Sequence, residues 1–202
     1  MRNFIFCVLI FFSINARSAL QGKVVQIFGQ AHKNTLNENL KLGDLLKEGD
    51  QIQTYEKSRI RILLNNDIAI QLGPNSKITL TEEKEGPVII QLIKGALYSR
   101  IKPQVKKANE ERYQVKTSLT SIGVRGTTFF VSYEDKDKVF ICDCMGEILL
   151  KWKNGSRRFK TRHHDDPVWV DVHKKELIHT KDAVHHSDED MSELGKIIGI
   201  LK

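Results

Sequence analysis

The stretch Gly123-Val124-Arg125-Gly126-Thr127-Thr128-Phe129-Phe130-Val131 sets the reading of the whole chain. Two glycines bracket a Val-Arg pair, and a β-branched and aromatic run follows directly. Glycine takes φ > 0 without a Cβ penalty, so the stretch predicts a tight corner feeding a strand. On that strand Thr127, Phe129, Val131 and Tyr133 share one side, and Thr128, Phe130 and Ser132 the other. Apolar groups on both sides place it near the middle of the fold. Arg125 is the exception. A guanidinium held between core strands needs carbonyls or a carboxylate to offset its desolvation. The alternative is an arginine that contacts a ligand.

Working outward, strands and turns recur about every ten residues. Lys23 to Phe28 predicts a first strand ended by Gly29. Two Gly-Asp pairs, Gly43-Asp44 and Gly49-Asp50, predict successive turns in which aspartate bonds its own backbone as in an Asx-turn. Ile60, Ile62 and Leu64, then Ile68, Ile70 and Leu72, have the period of half-buried strands. Strands are expected at Val88 to Ile93 and Ala96 to Ile101, joined at Lys94-Gly95. Past the corner, Val139 to Cys144 and Ile148 to Trp152 are separated by Met145-Gly146. Asn154-Gly155 is a hairpin signal of the type I′ kind. The fold class is therefore all-β, a stack of short strands forming a solenoid-like or sandwich domain, with a short C-terminal helix. That helix begins at Ser187, followed by Asp188, Glu189 and Asp190, and carries an apolar stripe of Met191, Leu194, Ile197, Ile198 and Leu201.

The first residues have a different character. Arg2 supplies a positive start, Phe4 to Ile14 an apolar run, and Ala16-Arg17-Ser18 a small-x-small cleavage site. Residues 1–19 are read as a secretory leader, too short in its apolar part for the roughly 20 residues of a membrane span. Residues 20–160 are assigned to the β domain, and 161–202 to a histidine-rich extension with the terminal helix. The expected location is the periplasm or the exterior. The net charge of +7 is a modest excess, and the expected export argues against nucleic acid as the partner.

At this point the residues add up to a family. The order Gly22-x-Val24, Gly49-Asp50-x-Ile52-x-Thr54, Gly73-Pro74-Asn75-Ser76, Gly95 and Thr117 leads into Val124-Arg125-Gly126-Thr127-x-Phe129-x-Val131. It resembles the FecR domain over roughly Gly22 to Leu150, with Gly123, Val124, Arg125, Gly126, Thr127 and Phe129 as its structural motif. The resemblance implies an all-β domain outside the cytoplasmic membrane. It also implies kinship with transmembrane regulators that bind a sigma factor and relay a signal from an iron-siderophore receptor. Three departures bear on that circuit. No cytoplasmic helical region is expected before the domain, the apolar segment reads as cleavable, and the tail is short. The expected function is a non-enzymatic envelope module that binds a protein or an anionic polymer and takes part in signalling.

A second reading rests on Cys142-Asp143-Cys144. On a strand both sulfurs share a face with Cα atoms roughly 6.5–7 Å apart, at the limit for a disulfide. Free core thiols, a strained or intermolecular disulfide, and metal ligation are all open. Six of the seven histidines follow residue 160, and thiolates with imidazoles suit zinc or copper. Cys142, Cys144, His163 and His164 are the candidate ligands, although adjacent histidines reach one ion only from a loop. On this reading the protein is a periplasmic metal or redox sensor. Lys94, Arg100, Lys102, Lys106, Lys107, Arg112 and Lys116 against Glu110 and Glu111 form either a solvated edge or a surface for an anionic partner. No G-x-S-x-G elbow, H-E-x-x-H or P-loop is present, and no enzyme is expected.

Overall fold

The computed structural model describes residues 20–34, 38–83, 86–103, 111–164, 167–174, 176–181 and 186–199. The predicted leader, Cys7, Lys106, Lys107, Glu110, Asp165, Asp166, His185 and Leu201 lie outside the described residues. The strands are β1 (Gln21–Phe28), β2 (Ala31–Lys33), β3 (Glu38–Asn39), β4 (Leu45–Lys47), β5 (Gln51–Thr54), β6 (Arg59–Leu64), β7 (Ile68–Leu72) and β8 (Lys77–Glu82). There follow β9 (Val88–Ile101), β10 (Tyr113–Lys116), β11 (Thr120–Val124), β12 (Thr128–Asp135), β13 (Lys138–Trp152), β14 (Gly155–Thr161), β15 (Val168–Asp171) and β16 (Ile178–His179). One helix, α1 (Asp188–Ile197), closes the described chain.

Two strands belong to two sheets each. One sheet runs β4-β1-β6-β7-β9-β12-β13-β15-β16. The other runs β3-β2-β5-β8-β9-β10-β11-β13-β14. The C-terminal half of β9 and the N-terminal half of β13 lie in the first sheet, and their other halves lie in the second. The result is sandwich-like, all-β with one short helix, as the sequence predicts.

Here the structure corrects the boundaries. Val88 to Ile93 and Ala96 to Ile101 are one 14-residue strand, and Val139 to Cys144 with Ile148 to Trp152 is one 15-residue strand. The expected breaks are bends. Gly95 sits at φ +87 and Gly146 at φ +120, so each turns its strand from one sheet to the other without ending it. A Cβ on Gly146 would lie 2.6 Å from Thr127 Cβ, and one on Gly95 would lie 2.5 Å from Ser76 Cα. The β13–β14 hairpin is real but is displaced by one residue. Trp152 pairs with Gly155, and neither Lys153, Asn154 nor Gly155 takes a positive φ. The motif corner also moves: Gly123 is extended within β11, and Gly126 at φ +59 makes the turn.

Side-chain alternation divides the apolar residues into two layers. Ile62, Ile70, Leu97, Phe129, Val131 and Ile141 from the first sheet meet Ile52, Ile90, Val115, Ile122 and Leu150 from the second. On the outer face of the first sheet, Ala69, Tyr98, Phe130, Phe140, Cys142 and Cys144 pack with Met191, Leu194 and Ile198. Hence β12 is apolar on both sides: α1 covers part of the face that solvent would otherwise wet. The helix is capped as expected, with Ser187 Oγ accepting from Asp190 N. The first-sheet ladder continues past residue 160 through β15. Among the described residues no helix is long and apolar enough to cross a membrane.

Two predictions follow from the packing. Gly146→Ala combines a left-handed backbone with a steric clash, costing about 2–5 kcal/mol. Gly49→Ala, at φ +86 with nothing within 4 Å, incurs only the backbone cost of about 1–2 kcal/mol; urea melts of both variants check the difference. Tyr113 is fully buried, its hydroxyl 2.9 Å from Ser99 Oγ, and burial raises its pKa above the usual 10.0. The folded state prefers the neutral phenol, so stability from this group is intact below pH about 10 and declines above it. Tyr113→Phe flattens that alkaline decline, measured as stability against pH between 9 and about 11.

Candidate metal centre

The i,i+2 spacing on β13 puts Cys142 and Cys144 on the outer face of the first sheet, both buried. Their Sγ atoms are 3.9 Å apart, and both cysteines are free. Two histidines close over them. His164 lies in the loop after β14, where its φ of 44 and its N–H donating to Cys144 O turn the ring inward. His186 immediately precedes the α1 cap, and its ring stacks on Phe130 with centroids 4.5 Å apart and planes 16° apart. Helix docking thus places the second imidazole over the thiols.

The four ligand atoms are Cys142 Sγ, Cys144 Sγ, His164 Nδ1 and His186 Nε2, all within 4.8 Å of one another. Cys142 Sγ to His164 Nδ1 is 3.2 Å, Cys144 Sγ to His186 Nε2 is 3.5 Å, and the two ring nitrogens are 3.2 Å apart. A tetrahedral zinc ion with bonds of about 2.3 Å to sulfur and about 2.0–2.1 Å to nitrogen requires edges near ~3.8 Å S–S, ~3.6 Å S–N and ~3.3 Å N–N. Each measured edge lies within about 0.4 Å of that figure.

The electrostatics show four groups that share protons, with one thiol already inclined to ionise. The Cys144 S–H donates to Cys142 and, with the flanking imidazoles, holds the Cys142 thiol well below its usual range against the opposing effect of burial. The same shared proton, together with burial, pushes Cys144 up. Burial disfavours charge on His164, but hydrogen bonds to Cys142 and Asp188 outweigh it and raise the imidazole pKa. Asp188 Oδ1 lies 2.8 Å from His164 Nε2. With that nitrogen donating its proton to the carboxylate, Nδ1 keeps a lone pair turned toward the sulfurs, the support that a metal-bound histidine receives.

Of the four candidate ligands read from sequence, the structure brings together Cys142, Cys144 and His164. His163 turns outward, with Nε2 3.1 Å from Asp188 Oδ2, and His186 stands in its place. His186 and Asp188 carried one signal in sequence: they flank the cap of a helix whose apolar stripe has to dock. Between the cysteines, Asp143 faces the opposite side. Burial pushes its carboxyl up to about 7, Thr127 Oγ1 donates to Oδ1 at 2.9 Å, and Oδ2 is buried with no partner.

The motif residues have structural partners. Val124 pairs with Tyr113 and Ile148. Arg125 meets Glu147, backbone N to O at 3.2 Å and guanidinium to carboxylate at 3.7 Å. Asp44 and Asp50 each accept from the backbone N–H of the lysine three residues earlier, Lys41 and Lys47. From the basic stretch, Arg100 donates to Met191 O, Arg112 pairs with Asp67 and Lys116 with Glu83.

Residues 50–142 match the model of the FecR protein family. Over that span, somewhat under half of the chain, the sequence is similar to the FecR family. Two crystal structures of a candidate anti-sigma factor from Parabacteroides distasonis, at 1.65 Å and 2.50 Å resolution, share the fold. Each gives a TM-score of 0.54 at 13% identity, covering 64% of this chain and 58% of that chain. At that identity the likeness is one of fold. No curated protein matches significantly. The FecR match ends at Cys142, so Cys144, His164, His186 and α1 lie beyond it, and the candidate centre joins the domain's last matched strand to the following segment.

Thr127→Val keeps the shape of the FecR motif but removes the donor to Asp143 Oδ1. The expected loss is about 1–3 kcal/mol, the cost of leaving a buried polar group unsatisfied, read from the urea midpoint at unchanged m-value.

Proposed function

We propose that this protein is an exported, non-enzymatic FecR-domain module of the cell envelope whose input is a soft transition-metal ion, zinc first. The carrying observation is the set of two thiols and two imidazole nitrogens on the outer sheet face, all within 4.8 Å of one another and with four of their six separations close to those of a tetrahedral zinc site. Two thiolates balance a divalent cation, and imidazoles complete a coordination sphere with no open position, the pattern of structural and regulatory rather than catalytic sites. Copper(I) is the competitor that the thiolates would also accept. The apolar leader with its cleavage site supports export to the periplasm. The FecR family supports a signalling role, with an envelope protein as the receiver of the signal.

Protein purified without a histidine tag and dialysed against zinc or copper(I) tests the reading by elemental analysis. One zinc per chain is expected, lost in the Cys142→Ser/Cys144→Ser double variant. His186→Ala weakens binding by more than about tenfold, since one of four ligands is removed, whereas His163→Ala leaves one zinc per chain. A chain that stays metal-free in micromolar zinc at neutral pH rejects the reading. Preferential copper(I) loading changes the metal but keeps the site.

A further inference from the structure

Helix α1 is seated by contacts that differ sharply along its length. Its apolar residues Met191 and Leu194 and the C-cap Ile198 pack on the outer layer with Tyr98 and Phe130. Its polar contacts fall on a basic stripe of the sheet. Arg61 lies 3.4 Å from Glu193, Arg59 lies 3.8 Å from Asp190, Gln71 Nε2 donates to Asp190 Oδ1 at 3.1 Å, and Arg100 donates to Met191 O at 2.9 Å. Arg59 is half-exposed, and its pair with Asp190 holds weakly. Arg61 is buried and already held by Gln71 and Gln26, so its head stays in place with or without the 3.4 Å contact to the half-exposed Glu193. A ten-residue helix with a glycine at position 195 is marginal by itself in water.

The helix start is different. Within three residues it supplies His186 as a ligand, Ser187 as the cap and Asp188 as the carboxylate that orients His164. Without an ion, four groups with converging lone pairs or shared protons crowd within 4.8 Å. With one, the same four atoms bind a common centre, and the segment before α1 is tied through His186 to β13 and to the loop after β14.

We propose that the metal ion is a clasp: its binding by Cys142, Cys144, His164 and His186 seats α1 on the outer face of the FecR sheet, and its loss frees the helix. The proposal rests on the metal-binding reading above and adds its mechanical consequence. The freed elements are complementary, an acidic amphipathic helix and an apolar face bordered by Arg59, Arg61 and Arg100. Metal occupancy thereby changes which surface the module shows, while the inter-sheet core, which the ligands do not enter, keeps its packing.

Hydrogen exchange on the full chain, zinc-loaded and after chelation by EDTA, tests this directly, with elemental analysis on the same samples. Removal of zinc is expected to speed exchange of the α1 amides, residues 190–197, at least tenfold, with β6, β7 and β11 unchanged. In Cys142→Ser/Cys144→Ser, α1 exchanges at the fast rate with or without zinc. The wild-type comparison stands alone if that variant fails to fold. One bound zinc with identical α1 exchange in both states overturns the clasp and leaves the metal site standing. Loss of protection across both sheets on chelation also overturns it, since the ion would then hold the whole fold. Failure to bind either zinc or copper(I) removes both the clasp and the reading beneath it.

Discussion

Everything in this structure depends on two strands being allowed to bend without ending. β9 and β13 each serve both sheets, and each turns at a glycine with positive φ, Gly95 and Gly146. At Gly146 no side chain fits, because Thr127 from the FecR motif fills the space where a Cβ would stand. The corner therefore joins three things: the sheet crossing, the buried Thr127–Asp143 contact and the motif that marks the family. A larger residue would have to displace one of them.

The bend also positions the candidate centre. Up to Met145, β13 lies in the first sheet with alternating faces, so Val139 and Ile141 enter the inter-sheet core while Phe140, Cys142 and Cys144 face outward. The outer face is not left to solvent, because α1, His164 and His186 close it. Two thiols on an exposed strand would be open to oxidation; here they lie beneath two imidazoles and against aromatic rings. Phe130 has a double role, filling the outer layer and stacking on His186. Packing and coordination geometry are thus the same contacts seen from two sides.

Charge is arranged for the same end. The sheet beneath α1 offers Arg59, Arg61 and Arg100, and the helix answers with Asp190 and Glu193. Asp188 turns instead to His163 and His164. The acids of the first helical turn complement the helix dipole, but they also distribute the helix between a basic face and an imidazole pair. That division makes the N-terminal end of α1 the place where a bound ion would have the most leverage.

The sequence by itself determined the all-β class, the two-faced character of β12, the capped terminal helix and the pairing of Cys142 with Cys144 on one face. Each of these is a local property: a period of two, a cap residue, an i,i+2 spacing. The family motif was legible for the same reason, being a contiguous run of residues. Strand continuity was not legible, because a glycine that bends a strand and one that ends it look alike until the partner strands are known. Nor was the choice of His186 over His163. That choice is made by the docking of α1, which carries the residue before its cap across 42 positions of sequence to Cys144, a consequence of burying Met191 and Leu194 that no local pattern encodes.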